Sequence, residues 1–363
     1  MEFGAATDRG QPGLVKDGRA ITTLPPAVSA LLVGLGVAQA FRQARILQDQ
    51  GRLDDAERLY RRILARQPDH AASLCHLGAI RLQQGRLEAA VALLRRAVAL
   101  TNTADGQAGL GVVLAALGRP AEAVPCFAAA LAIDPNHPGT HGRLGVALSA
   151  LGRPAEAVLH LEQALVIRPG DAEAHVQLGN ALRALGRHDA AASHFERALT
   201  INPALAQAHC NLGRVVAELV GPRTAIVHYE RALSVKPDLA EAHINLADCL
   251  RIVDRHADAI AHYEQGLVLR PGVAEAHNNL AVLLEAAGRP EEAILHYRAA
   301  LAVRLDRSAA ADNLTRLLHK LGRRDETPGN AAPLACDAAS AEASGNRAPP
   351  RDSGHAPPHV QRT

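Results

Sequence analysis

A period of 34 residues runs through most of this chain and restricts its fold more than any other feature. Prolines recur at this spacing, at Pro135, Pro169, Pro203, Pro237 and Pro271. Pro68 keeps the same phase once a single deletion in the second repeat is allowed. The chain then divides into eight repeats, at 37–70, 71–103, 104–137, 138–171, 172–205, 206–239, 240–273 and 274–307. Such a period indicates stacked units that bury their apolar faces against one another.

Each repeat predicts two helices. In the fifth repeat, Leu178 and Gly179 occupy positions 7 and 8, and Ala191 and Phe195 occupy positions 20 and 24. Positions 4, 7, 8 and 11 share one helical face, as do positions 20, 24 and 27. A glycine near position 15, such as Gly186, supplies the left-handed conformation that ends a helix. Because the chain is also rich in Ala and Leu, we expect an all-α solenoid without a sheet.

The repeated residues resemble those of the tetratricopeptide repeat (TPR) family. Its pattern W-x2-L-G-x2-Y…A-x3-F…P is matched by His175-x2-Leu178-Gly179-x2-Leu182…Ala191-x3-Phe195…Pro203. The resemblance covers residues 37–324 and implies a right-handed α-α superhelix that binds peptides in its concave groove. The Ala-Glu-Ala-His-x-Asn-Leu form of the later repeats is most similar to the repeat arm of O-linked N-acetylglucosamine transferases and their bacterial relatives.

The ends of the array differ from the repeats. Residues 25–36 predict an N-terminal capping helix, and residues 308–324 predict a C-terminal one with Leu314, Leu317 and Leu318 on its inner side. Residues 1–24 and 325–363 carry few large apolar side chains, so neither segment buries enough surface to offset its ordering entropy. We expect both to be disordered.

Position 6 of the first helix is the most informative polar column. It points away from the packing face, toward the expected inner surface of the superhelix, and later repeats place amides there: Gln177, Asn211, Asn245, Asn279 and Asn313. Packed helices lie about 8–10 Å apart and an extended peptide advances roughly 3.3–3.6 Å per residue. One amide would therefore meet every third peptide unit. The alternative is a tolerated surface residue copied by duplication.

Charged residues on the same side of the first helices extend this candidate binding surface. They are Arg143, Arg183, Arg214, Asp248 and Arg251. We expect partner peptides to bind in the C-terminal half, where the asparagines are concentrated.

Histidine columns occupy positions 4 and 23, exemplified by His175 and His194. A metal ion needs several ligands converging within about 2 Å of it, whereas equivalent residues of neighbouring repeats are a repeat apart. We interpret position 4 as a packing position and position 23 as partly exposed. The sequence carries no HExxH, P-loop or nucleophile elbow. It therefore predicts no catalytic residue, no metal site and no cofactor.

These features favour a non-catalytic scaffold that binds protein or peptide segments. The alternative is an accessory or truncated recognition arm of a glycosyltransferase whose catalytic domain is on another chain. A net charge of +2 predicts neither a nucleic-acid nor a membrane partner. Five cysteines without a CxxC pair favour the cytoplasm. The alternative location follows from the apolar run before Ala40, which has features of an export signal.

Overall fold

The computed structural model describes residues 36–137, 139–303 and 309–327. These residues form seventeen α-helices, one short 3₁₀ turn and no strand. The helices are α1 (Val37–Asp49), α2 (Leu53–Arg66), α3 (Ala71–Gln83), α4 (Leu87–Leu100), α5 (Ala104–Ala116), α6 (Pro120–Ile133), α7 (Thr140–Ala150), α8 (Pro154–Ile167), α9 (Ala172–Ala184), α10 (His188–Ile201), α11 (Ala206–Leu219), α12 (Pro222–Val235), α13 (Ala240–Ile252), α14 (His256–Leu269), α15 (Ala274–Ala286), α16 (Pro290–Val303) and α17 (Ala309–Lys320).

Each repeat is a pair of helices joined by a tight turn, as the sequence predicts. At Gly152 the turn has φ = 70°, a left-handed conformation that glycine adopts without steric cost. The seventh repeat places Asp254 in this position, with φ = 62°. Apart from glycine, Asp is one of the few residues that adopt the left-handed backbone conformation. The turn geometry is therefore kept where the glycine is lost.

Small residues at position 8 lie directly beneath the large residue at position 24 of the same repeat. A Cβ atom added to Gly145 would lie 2.5 Å from Cγ of Leu161, and one added to Gly111 would lie 2.6 Å from Cε1 of Phe127. The structure places the bulky residue over the glycine because its side chain fills the space that the missing Cβ leaves.

First helices of neighbouring repeats contact one another. The helices form two compact units, one reaching to His262 and the other beginning at Tyr263. In the N-terminal unit, α3, α5, α7, α9 and α11 each contact the next first helix along the chain. In the C-terminal unit, α15 contacts α17 in the same way. We call the exposed side of these first helices, which carries positions 6, 9 and 12, the first-helix face.

A helix is present in the predicted C-terminal capping segment, at Ala309–Lys320. The chain then continues into a 3₁₀ turn, Arg324–Glu326, where Glu326 accepts hydrogen bonds from Arg323 and Arg298 at 2.7 Å each. The tail is expected to begin at residue 325, and its second and third residues, Glu326 and Thr327, are half-buried and buried. Residues 1–35 and 328–363 lie outside the described residues. They include the expected disordered segment 1–24, residues 25–35 of the expected N-terminal cap and the expected tail from residue 328 onward.

No helix in the described residues has both the length and the apolar character required to span a bilayer.

Candidate functional site

A cavity of about 660 Å³ opens on the first-helix face between α5, α7 and α9. Its walls are apolar, with Val112 on α5 and Val146 on α7. Phe127 and Leu161, which are almost fully buried, close its base. Val146 is 44% exposed although it is an aliphatic residue at the centre of a helix. The cavity therefore offers apolar surface to a side chain from outside.

Charged and amide groups surround the opening of this cavity. Gln177 donates from Nε2 to Oε1 of Glu173 at 2.6 Å, and Arg168 pairs with Asp171 at 3.3 Å. Arg143 is exposed and has neither an ion pair nor a hydrogen bond among the described residues. Two residues of the predicted site, Arg143 and Gln177, thus lie at one cavity. The sequence interpretation missed the cavity itself.

Farther along the first-helix face, Asn211 is built into the interface between repeats. It is only 3% exposed, and its Nδ2 donates to Oδ1 of Asn180 at 2.9 Å. Gln207 donates to Oδ1 of Asn211 at 3.3 Å. The amide of Asn211 therefore joins the fifth and sixth repeats, in contrast to the expectation that it faces an open surface.

Two arginines of the predicted site approach each other beside this amide. Nη1 of Arg214 donates to Oε1 of Glu241 at 2.7 Å, so this cation is neutralised. Arg183 is half-buried, and its Nε has no hydrogen-bond partner among the described residues. Burial and then the charge of Arg214 lower the pKa of Arg183. Arg183 is therefore a cation whose environment lacks a directly bonded anion.

The remaining predicted residues lie in different surroundings. Asn245 is half-buried, with a long contact of 3.9 Å from its Nδ2 to Sγ of Cys210. Asp248 and Arg251 are half-buried on α13, and Nε of Arg251 has no hydrogen-bond partner among the described residues.

In the C-terminal unit, three asparagines form an amide cluster. Asn313 donates to Oδ1 of Asn278 at 3.1 Å, and Asn278 donates to Oδ1 of Asn279 at 3.4 Å. Arg316 donates to Asn313 at 3.1 Å. Asn279 and Asn313 are thus brought together through Asn278, a residue that the position-6 column does not include.

Histidines at positions 4 and 23 of the same repeat form pairs. Nδ1 of His175 lies 3.0 Å from Nδ1 of His194, and Nε2 of His175 lies 3.2 Å from the carbonyl oxygen of Pro169. Nδ1–Nδ1 distances of 2.9–3.1 Å recur in three further pairs: His141–His160, His243–His262 and His277–His296. Each pair connects both helices of its repeat to the proline that ends the preceding repeat. The prediction that position 4 packs is confirmed.

The sixth repeat departs from this arrangement. Nε2 of His209 keeps its contact with the carbonyl oxygen of Pro203, at 3.1 Å. Nδ1 of His209 and Nδ1 of His228 are both buried without a hydrogen-bond partner in the described residues. Among those residues no cluster of three or more metal-ligating side chains occurs.

Burial lowers the pKa of His160, His194, His262 and His296, and the paired imidazole lowers it further. The second of these effects, that of the paired imidazole, comes from the close approach of the two rings. In the neutral pair one Nδ1 donates to the other, whereas two protonated rings would place two N–H groups against each other. The histidine pairs are therefore suited to the neutral state.

Profiles described as "Tetratricopeptide repeat" match residues 41–105, 100–170 and 238–306, and one described as "TPR repeat" matches residues 179–220. Together they cover most of the helical array. The chain belongs to the tetratricopeptide repeat family. The resemblance read from the residues of the fifth repeat is thereby confirmed at the level of the family, and the helical pairs are TPR units.

Similar proteins share parts of this TPR array. Human tetratricopeptide repeat proteins 7B and 7A are 37% and 32% identical to the chain over 99 residues, which are 27% of this chain and 12% of each relative. The chain therefore matches only a small part of these relatives.

Solved structures with the same fold include the APC/C hetero-tetramer Cut9–Hcn1, with a TM-score of 0.57, 21% identity and coverage of 81% of this chain and 59% of that one. PilF of Pseudomonas aeruginosa has a TM-score of 0.54 and 20% identity, and the match covers 59% of this chain and 96% of PilF. At these identities the likeness concerns the fold alone.

Proposed function

We propose that this TPR protein is a non-catalytic scaffold that binds an extended peptide segment along its first-helix face. The observation that supports the proposal most strongly is the cavity at Val112 and Val146. Apolar surface of this kind beside a few polar groups is typical of a binding site. The TPR fold is consistent with protein binding, because stacked repeats offer an extended surface for a partner.

The chemistry of the first-helix face favours a peptide over a nucleic acid. The only aromatic side chain that lines the cavity in the described residues, Phe127, is 1% exposed and presents no surface on which a base would stack. Half-buried amides such as Asn245 are suited to backbone groups, since each offers an acceptor and two donors.

The amides of position 6 contribute unequally in this proposal. Asn211 stabilises the interface between repeats, whereas Asn245 has one long contact to sulfur and is the better candidate for a hydrogen bond to a peptide backbone. Gln177 lies at the edge of the cavity and would meet the peptide where it leaves the apolar walls. In this proposal the binding segment therefore includes the fourth and fifth repeats as well as the sixth and seventh.

A peptide library tests this proposal directly. Random 16-residue peptides displayed on phage are selected on the full chain, and the tightest peptide is mapped by hydrogen–deuterium exchange. We expect protection on α5, α7, α9, α11 and α13, with little change on α6, α8, α10 and α12. Selection of no peptide above background, or protection confined to the second helices, would contradict the proposal.

A second candidate function is that of a substrate-recognition arm acting with a glycosyltransferase on another chain. The asparagines at position 6 of the sixth to eighth repeats favour it. Cross-linking mass spectrometry on the chain purified from its own cells would then find a glycosyltransferase in stoichiometric amount. A preparation that lacks any such enzyme argues against this role.

A further inference from the structure

In the fourth and fifth repeats, the first-helix face carries two arginines that have no ion pair among the described residues. Arg143, on α7 at the rim of the cavity, has no ion pair in the described residues. The side chain of Arg183, on α9, makes no hydrogen bond there, and its Nε is shielded from water. Other charges around them are already paired: Arg214 binds Glu241, Arg168 binds Asp171, and Glu173 accepts from Gln177.

The buried Nε of the half-buried Arg183 is unfavourable as it stands, because this N–H has lost water and gained no partner. The nearby cation Arg214 adds repulsion, while Glu218 and Glu241 offset part of it. A carboxylate is the natural complement, since its two oxygens match the fork of an arginine and form two parallel hydrogen bonds.

The spacing along α9 relates this cation to the cavity. Gln177 lines the cavity, and Arg183 follows it by six residues on the same helix. At 1.5 Å per residue, the two positions are separated by about 9 Å along the axis. An extended peptide covers that distance in roughly three residues, at about 3.3–3.6 Å per residue.

We propose that the partner is an acidic peptide that inserts an apolar side chain into the cavity and places an Asp or Glu, about three residues away, on Arg183. Arg143 binds a second carboxylate next to the inserted side chain. The apolar residue supplies buried area, and the carboxylates fix the register of the peptide on α7 and α9. This inference rests on the proposed peptide-binding function and specifies its ligand.

Fluorescence polarisation with synthetic peptides tests the inference. The starting probe is the tightest peptide from the phage selection, and its acidic residues are replaced singly by Gln. We expect an Asp or Glu two to three residues from an apolar residue to dominate the selection. Replacing it by Gln should weaken binding about tenfold or more, as expected for a hydrogen bond to a charged group.

Variants of the protein provide the complementary measurement. Arg183→Gln should weaken binding of the acidic peptide by about tenfold or more. It should also abolish the difference in affinity between the acidic peptide and the peptide in which Gln replaces the acidic residue. Arg183→Lys should recover part of the affinity, because the charge remains but the fork is lost. Arg197→Gln on α10, an exposed arginine of the same repeat, is the matched control and should leave binding unchanged.

Different experimental results would contradict the acidic-peptide inference and the proposed peptide-binding function. Peptides that bind the first-helix face without an acidic residue, or acidic peptides that bind Arg183→Gln as tightly as the unchanged protein, would overturn the inference and leave peptide binding intact. If a correctly folded protein selects no peptide, both proposals are overturned. Unchanged melting of Arg183→Gln shows that the variant is folded, which we expect because the side chain of Arg183 makes no hydrogen bond within the described residues.

Discussion

The histidine pairs and the first-helix face both follow the 34-residue period. The pairs keep the same residues from repeat to repeat, whereas the residues of the face change. His175 and His194 have close counterparts in three other repeats, with nearly the same distances and the same contact to a proline carbonyl. On the first-helix face, position 9 changes from Val146 to Asn180 to Arg214 in successive repeats. A feature that recurs in several repeats maintains the stacking of repeats, whereas a feature that varies distinguishes one part of the surface from another. Binding specificity is therefore expected on the varying side.

The largest expected effect concerns two glycines of α5. Gly111 packs in the repeated interior, and Gly109 lies at position 6 of the first-helix face. Gly111→Ala places a Cβ 2.6 Å from Phe127, and overpacking of this kind costs about 1–3 kcal/mol. Gly109→Ala meets only Leu94 at 3.6 Å and should stabilise the helix by up to about 1 kcal/mol. Urea denaturation of both variants measures the difference. Equal stabilities would show that the interior is not tighter than the face.

A smaller effect distinguishes two asparagines of position 6. Asn211→Ala removes the hydrogen bond to Asn180 and should lower the free energy of unfolding by about 0.5–1.5 kcal/mol. Asn245→Ala removes only a long contact to sulfur and should leave stability nearly unchanged while weakening peptide binding. Thermal melts and peptide titrations on both variants measure these effects. The assignment is contradicted if Asn245→Ala is the less stable of the two.

The smallest effect per residue concerns pH. The unfolded chain binds protons at the ordinary histidine pKa of about 6.5, whereas the pKa values of His160, His194, His262 and His296 are lowered in the folded chain. Below that pH the unfolded state binds more protons, so stability is full above it and decreases as the pH falls. Replacing the four histidines by Gln should flatten the dependence of Tm on pH between 7.5 and 5. If the dependence of Tm on pH is the same in this variant, the histidine pairs are not its cause.

The sequence predicts the helices and turns well because these depend on local residues. Pro154 at the first turn of α8 and Gly152 before it define one boundary in both the sequence and the structure. The packing of the position-4 histidines was likewise predictable. Their pairing with position 23 was not predictable. Whether two residues 19 positions apart come into contact depends on how the two helices cross, and the sequence pattern does not specify that crossing.

The candidate site was less predictable for the same reason. Val112 and Val146 look like tolerated surface residues, and their contribution to one cavity depends on the distance between α5 and α7. Asn211 looks equivalent to Asn245 in the sequence, yet Asn180 from the preceding repeat binds only the former. Neighbours from the adjacent repeat therefore decide which residue of a column is available to a partner.

The most direct test of the central claim, that the variable first-helix face is the binding surface, uses two valines of the fourth repeat. Val146 lies in the cavity on α7 and is 44% exposed, and Val166 lies on α8 and is 72% exposed. The dissociation constant of the selected peptide is measured for the unchanged protein, Val146→Glu and Val166→Glu, each checked by a thermal melt. We predict that Val146→Glu weakens binding by about tenfold or more, because a charge replaces buried apolar contact, and that Val166→Glu leaves it unchanged. Full affinity in Val146→Glu, or a loss confined to Val166→Glu, would contradict the claim.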